Sequence, residues 1–370
     1  MTTSSASTTA GAAPATRPDA AVPAGFRDHD ERIRYFVKGE PVQNFGDYLP
    51  ELLAKTLLLH PRVEADVYRL IGSTIERDWI RRDLRRSVGI ERGIVAYWGC
   101  GKRNATPLDA RTLALCRFFG VRGPLTRDAL QLPPDTVLGD PGLLAPLMHQ
   151  PAPAPDTAGR SVCIPHMEDP KSDAELLAIS GAEQVLRPRV ESNEAALRRI
   201  LDRIAGARFV LTGSLHGAIV ACAYGRPFAF WDNGHVDIVF KWQDFAASIG
   251  IPCDFVRNVS EGEALYAQTL AARIVMPALA DILDVCPFAV RPAALLRALL
   301  HDGRLAPDAD VARAADALDA LPSVRPETVH ALQAVSAARR AERRRLAPYA
   351  AVGRGIERLK AVWRHARGIR

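Results

Sequence analysis

Two histidines stand where the chain leaves an apolar run. In FVLTGSLHGAIVACAYGRPFAFW, Phe209 to Trp231, His216 follows the pair Gly213-Ser214 inside a stretch otherwise fit for a core. The pattern predicts a buried strand over Arg208 to Leu211, a turn and N-cap at Gly213-Ser214, and a helix from Leu215 to about Tyr224 that Gly225 ends. His216 then falls in the first turn of a helix, where unpaired N–H groups and the positive dipole end attract anions. The same dipole keeps an imidazole neutral until an anion arrives. In SVCIPHMED, His166 follows an apolar strand and a proline, with Asp169 near enough in sequence to orient it. Two imidazoles at one rim suit proton transfer near neutral pH, one as acid and one as base. Each also has a plain structural reading, as a hydrogen-bonded core or loop histidine.

Further candidates flank other strand ends. QNFGDYLPELL offers Asn44 and Asp47 around Gly46 at a strand-to-helix junction. Asp47 is the expected N-cap and Gly46 the tight turn; functionally, Gly46 admits a ligand to the backbone while Asn44 or Asp47 holds a hydroxyl. WGCGKRN has the glycines of a turn that approaches a ligand, with Lys102 and Arg103 at its exit. VRGPLTRDAL carries Arg122 and Arg127 about a Gly-Pro turn, a fork suited to a carboxylate or phosphate, or simply a surface turn. In LGDPGLLAP, Asp140-Pro141-Gly142 reads as a structural turn.

The elements that must position these residues alternate. RIRYFVKGE, ADVYRLIGS and RGIVAYWGCG read as strands, FGDYLPELLAKTLLL and DARTLALC as helices, and FFGVRGPLTRDAL as strand, turn and helix. MHQPAPAPDTAGR is the expected linker. Beyond it SVCIPHMED, AEQVLRPR, ARFVLTGS and PFAFW read as strands, DAELLAISG, NEAALRRILDRIAG and LHGAIVACAYG as helices. This predicts an α/β fold of two Rossmann-like parallel-sheet domains facing a cleft: residues 29–150 and 151–275, preceded by a disordered lead (1–28) and followed by a helical extension with a basic tail (276–370). From Met276 onward no strand is expected.

The net charge of +6 belongs to that tail: residues 339–370 hold eleven Arg or Lys against two Glu, and the remainder is slightly negative. Such a tail suits a solvated helix or contact with anionic lipid; nucleic acid is not an expected partner. The lead lacks a basic start and an apolar stretch, no run reaches the length of a membrane span, and six dispersed cysteines without a CxxC pair read as buried thiols in a cytoplasm, with no metal site.

Taken in order, NFGDYLPELL, VRGPLTRDAL, LGDPGLL, PHMED and TGSLHGAIVACAYGRP resemble the polysaccharide pyruvyl transferase family, over about Arg34 to Ile251. The resemblance implies a fold like that of the two-domain GT-B glycosyltransferases and phosphoenolpyruvate as donor. It implies as acceptor a sugar of a bacterial cell-surface polysaccharide or its lipid-linked precursor, modified at the cytoplasmic membrane face. Some members carry arginine before the Leu-His pair to hold the donor; Ser214 stands there in this chain, as in the branch with an SLHG motif that attaches pyruvate as a ketal. The expected chemistry uses His216 and His166 as acid and base and the helix start Ser214, Leu215 and Gly217 for the departing phosphate. Arg122 with Arg127 would fix the carboxylate, with Lys102 and Arg103 as further cations, and no cofactor beyond the donor is expected. The alternatives are a glycosyltransferase using a nucleotide sugar and a non-catalytic glycan- or lipid-binding protein.

Overall fold

The computed structural model describes residues 32–35, 40–89, 92–305, 313 and 317, so the expected lead and the basic tail lie outside the described residues. The first half runs β1 (Ile33–Arg34), β2 (Val42–Asn44), α1 (Phe45–Leu57), β3 (Leu58–Pro61), β4 (Val67–Arg69), α2 (Arg77–Val88), β5 (Val95–Tyr97), α3 (Ala110–Leu113), β6 (Cys116–Phe118) and α4 (Pro124–Ala129). A 3-10 turn at Pro141–Leu144 leads into the short α5 (Ala145–Met148). Residues 149–160, the Pro-rich segment, hold no helix or strand. The second half runs β7 (Ser161–Ile164), α6 (Asp173–Ser180), β8 (Gln184–Val185), β9 (Arg189–Glu191), α7 (Glu194–Gly206), β10 (Phe209–Thr212), α8 (Leu215–Ala223), β11 (Phe228–Trp231), α9 (Val239–Ser248), β12 (Phe255–Val256) and α10 (Val259–Leu265). A π turn at Tyr266–Leu270 joins α10 to α11 (Ala271–Arg273), and α12 (Leu279–Asp284), β13 (Phe288–Val290) and α13 (Pro292–His301) follow.

The fold is α/β with two parallel sheets, ordered β1-β4-β5-β6 and β12-β11-β10-β7-β8. Both are covered on two faces, as the continuous apolar runs require. Because successive strand side chains alternate, Tyr68 and Ala96 of the first sheet and Val162, Ile164, Val210, Phe228 and Phe230 of the second join one large core, while Val67, Val95 and Tyr97, and Cys163, Leu211 and Trp231, fill two smaller outer ones. The large core runs without a break from Ile33 to Leu299. Two antiparallel ribbons add to it: β2 pairs with β9 across the halves, and β13 returns to pair with β3.

Several expectations need correction. The helix over FGDYLPELLAKTLLL ends at Leu57, since Leu58 turns extended to enter β3. Segment 77–88, passed over because it is dominated by charge, is the helix α2, anchored by buried Ile80 and Leu84 one turn apart. AEQVLRPR divides at Pro188: β8 stays in the sheet and β9 leaves it for β2. The region after Met276 is not all helix, because the short apolar strand β13 pairs with a strand near the other end of the chain, placing Phe288 opposite Pro61 and Val290 opposite Leu58. No helix among the described residues is long and apolar enough to cross a membrane.

Candidate functional site

A cavity of about 330 Å³ lies where the strands of both sheets reach their carboxyl ends. Ser73 follows β4, His166 follows β7, Ser214 to His216 follow β10, and His235 and Asp237 follow β11; Asn44 and Asp47, at the start of α1, close the floor.

The strand-turn-helix around His216 forms as the sequence indicates: β10 ends at Thr212, Ser214 is the N-cap, α8 spans Leu215–Ala223, and Gly225 takes φ +64°. One detail differs. The Ser214 hydroxyl makes no capping bond; instead the Thr212 hydroxyl accepts from the Ser214 amide at 3.0 Å and donates to the Ser214 carbonyl at 2.7 Å. The first amides of α8, at Leu215 and His216, have no intrahelical acceptor, and both residues line the cavity. His216 is only 9% exposed, lines the cavity, and among the described residues its Nε2 has no hydrogen-bond partner. Burial, reinforced by the nearby charges of Lys241 and Arg122, lowers its pKa to about 3, so the ring is neutral.

Gly46 explains how the two halves meet here. The N-cap of α1 is Asn44, not Asp47: the Asn44 side chain accepts from the Gly46 amide at 3.0 Å, and Gly46 lies within the helix. A Cβ at Gly46 would sit 2.0 Å from Nδ1 of His216. The close approach that this glycine permits is therefore that of the imidazole. Asp47, one residue on, faces the cavity from the first turn of α1. Desolvation pushes its carboxyl up to about 6, against the opposing pull of Lys241, Arg69, Arg103 and His166.

His166 lies opposite, oriented by a carboxylate other than the expected one. Asp169 is occupied by the Lys171 amide and the Asn233 side chain, whereas Asp237 Oδ2 sits 3.3 Å from His166 Nε2. His166 Nδ1 lies 3.2 Å from Nε2 of His235 and 3.3 Å from the Glu168 amide. An Nδ1 that accepts from these donors leaves the proton on Nε2, directed at Asp237. Lys241, one helical turn on, also pairs with Asp237. Burial alone would raise the Asp237 carboxyl, but the bonds from His166 and Lys241 and the lysine's charge outweigh it and hold it far below the usual range. Burial likewise lowers Lys241, with Asp237 opposing.

The structure brings together Asn44, Asp47, Arg103, His166, Ser214, Leu215 and His216 at the cavity. The other candidates lie elsewhere. Gly217 serves packing, since a Cβ there would be 2.5 Å from Thr212 Oγ1. Lys102 is fully buried, with its ammonium 3.4 Å from the Ile75 carbonyl and 3.7 Å from Glu76. The fork expected of Arg122 and Arg127 does not form. Arg122 is buried under the cavity wall, donating to Asp244 (3.1 Å), the Ser73 hydroxyl (2.7 Å) and the Lys102 carbonyl (3.2 Å), while Arg127 pairs with Asp128 at the surface. The glycine of WGCG makes room for this arrangement: a Cβ at Gly101 would strike the Arg122 guanidinium at 2.1 Å. The turn at Asp140 is structural as read, its carboxylate accepting from the Gly142 amide at 2.8 Å.

Sequence reasoning missed Lys241, Asp237 and His235. The signal was present in DNGHVDIVFKW, which follows β11 and so leaves the carboxyl edge of a parallel sheet, where ligand-binding loops gather. Arg103 is the second cation of the cavity: among the described residues no carboxylate pairs with it, and its head group rests 5.4 Å from the ring centre of Trp79. Lys241 and Arg103 thus line the cavity together with the carboxylates of Asp47, Glu168 and Asp237, the start of α8 and the imidazole of His216. Among the described residues no group of three or more His, Cys, Asp or Glu is arranged to hold a metal ion.

Residues 22–235 match the polysaccharide pyruvyl transferase family. A curated relative, the succinoglycan biosynthesis protein ExoV of Rhizobium meliloti, is 26% identical over 140 residues, which is 35% of this chain and 40% of that protein. The chain thus matches less than half the length of that relative. No solved structure matches it.

Proposed function

The chain belongs to the polysaccharide pyruvyl transferase family, and we propose that it moves the pyruvyl group of phosphoenolpyruvate onto two hydroxyls of one sugar in a cell-surface polysaccharide or its precursor, as a ketal. The observation that carries this reading is the unpartnered Nε2 of His216 at the start of α8, in a cavity it shares with Lys241 and Arg103. A phosphate and a carboxylate on a three-carbon frame match that arrangement. The α8 amides and Lys241 take one anion and Arg103 the other, in place of the arginine fork expected from the sequence. The curated relative's role in succinoglycan biosynthesis supports an exopolysaccharide acceptor. The two parallel sheets with a cavity at their carboxyl edges support a GT-B-like arrangement.

The chemistry begins with a proton delivered to the methylene carbon, which leaves the central carbon electrophilic. His166 is the donor in this scheme, giving up the Nε2 proton that it otherwise directs at Asp237. His216, kept neutral by burial, takes the proton of the attacking hydroxyl as the first carbon–oxygen bond forms. The bond to phosphate then breaks with its electron pair leaving on oxygen. The departing charge is met by the α8 amides, and the second hydroxyl closes the ring and gives up its own proton to the released phosphate. Asn44 and Asp47 hold the acceptor hydroxyls. The donor is a cytoplasmic metabolite, so this reading places the reaction in the cytoplasm.

The test is incubation of the purified protein with phosphoenolpyruvate and lipid-linked saccharide precursors, following phosphate release and acid-labile pyruvate on the glycan. Phosphate release that depends on both substrates supports the reading. Release of nucleoside diphosphate from a nucleotide sugar, with none of phosphate from phosphoenolpyruvate, replaces it with glycosyl transfer.

A further inference from the structure

Beside the donor cavity lies a second, larger one of about 720 Å³, and the two share Trp79 and Arg103 as common wall. One side of this groove is the start of α2, with Glu76, Asp78 and Trp79; the other is the loop before α3, with Asn104, Thr106 and Leu108. Both linings set two cations among three carboxylates: Lys241 and Arg103 among Asp47, Glu168 and Asp237 in the donor cavity, Arg77 and the shared Arg103 among Glu76, Asp78 and Asp109 in the groove. What the donor cavity adds is the start of α8 and the Nε2 of His216, which among the described residues has no hydrogen-bond partner.

We propose that the groove is the acceptor subsite, in which a saccharide chain lies along Trp79 and presents its terminal hydroxyl pair past Arg103 to the donor. This inference rests on the pyruvyl transfer proposed above. The lining has the groups that a neutral sugar needs: carboxylate and amide oxygens to take hydroxyl protons, and an indole to cover the apolar C–H face of a ring. Trp79 is positioned for this duty. The Arg82 and Arg103 guanidinium carbons lie 4.8 and 5.4 Å from its ring centre, which fixes the indole at the junction of the two cavities. Asp78 is largely exposed, its partner Arg77 being 3.4 Å away and itself exposed, so its carboxylate is open to a hydroxyl. The size also fits, because the groove has about twice the volume of the donor cavity, room for a sugar chain.

The experiment is a glycan array of bacterial repeating-unit oligosaccharides, probed with the full chain and with Trp79→Ala, Trp79→Phe and Thr106→Trp. Thermal stabilisation by phosphoenolpyruvate is measured on each variant. Thr106 is exposed on the groove wall, so an indole there plugs the groove without entering the donor cavity. The proposal expects the wild type to retain a subset of saccharides. Trp79→Ala and Thr106→Trp should weaken them about tenfold or more, while Trp79→Phe keeps most of the binding. Failure of the wild type to retain any saccharide, or equal retention by the two disruptive variants, overturns it. If phosphoenolpyruvate fails to stabilise the wild type while saccharide binding still depends on Trp79, the donor reading falls and the groove stands.

Discussion

Two neighbouring regions hold buried charge, one closed and one open. At the joint between the halves, Asp244 of α9 accepts from Arg122, from the Thr126 amide at 2.9 Å and from the Thr126 hydroxyl at 2.6 Å, while each side of the Arg122 guanidinium has its own acceptor. A few residues away the cavity holds, among the described residues, an imidazole Nε2 without a partner, a guanidinium without a carboxylate and a carboxyl pushed up to about 6. The same residue types are satisfied in one region and left open in the other. An arginine in a Gly-Pro turn is thus no evidence for a ligand; a polar atom that the fold buries and does not pair is.

The largest effect that sharpens this contrast is on catalysis. His216→Ala should lower the rate of phosphate release by a factor of roughly 10²–10⁴, the usual worth of a positioned acid or base, with little change in unfolding free energy. A variant that keeps its activity breaks the contrast at its open end. Arg122→Ala tests the closed end. Removing one member of a buried pair should destabilise the fold by about 3–5 kcal/mol in denaturant titration, and combining Arg122→Met with Asp244→Leu should return much of that loss. Were Arg122→Ala to unfold like the wild type yet lose affinity for phosphoenolpyruvate, the two regions would have to be exchanged.

Gly46→Ala strikes where the regions touch. Its new methyl meets the His216 ring, so about 1–3 kcal/mol of stability should go, together with a fall in kcat/KM that exceeds any change in donor binding. The smallest effect is of opposite sign. Asp47 has its native pKa raised above the unfolded value, so its ionisation opposes folding, and that penalty sets in as pH rises from about 4 through 6. Asp47→Asn should therefore stabilise the protein at pH 7.5 by on the order of 1–2 kcal/mol, reduced from the full shift by cavity water, and by nothing near pH 4, while it lowers activity. A thermal melt at the two pH values reads the difference.

What the sequence made legible follows from how local each feature is. Thr212 to Gly225 could be read residue by residue, because strand, turn, cap position and stop lie within one short segment that obeys its own propensities. His166 was placed by the proline before it. The roles of Arg122 and Asp169 were misread because their partners are distant: Asp244 lies 122 positions after the arginine, and Asn233 lies 64 after the aspartate. Nothing in a Gly-Pro turn distinguishes an arginine that holds a ligand from one that bolts two halves together. Lys241 and Asp237 escaped for the reverse reason. Helix α9, which carries Lys241 and which Asp237 precedes, reads as an ordinary half-buried element, and only the topology turns its start toward the cavity. Strand β13 was hidden by its brevity and by flanking prolines, since its pairing with β3 is a tertiary fact.

The most direct test of the claim that the open groups await a donor is a crystal structure of the protein with phosphoenolpyruvate. The account expects one anionic group of the donor within about 3 Å of the Leu215 and His216 amides, with Nε2 of His216 engaged and Lys241 and Arg103 turned onto the ligand. Density for the donor at Arg122 or Arg127, or an empty cavity with the Nε2 of His216 still unpartnered at saturating phosphoenolpyruvate, would contradict it.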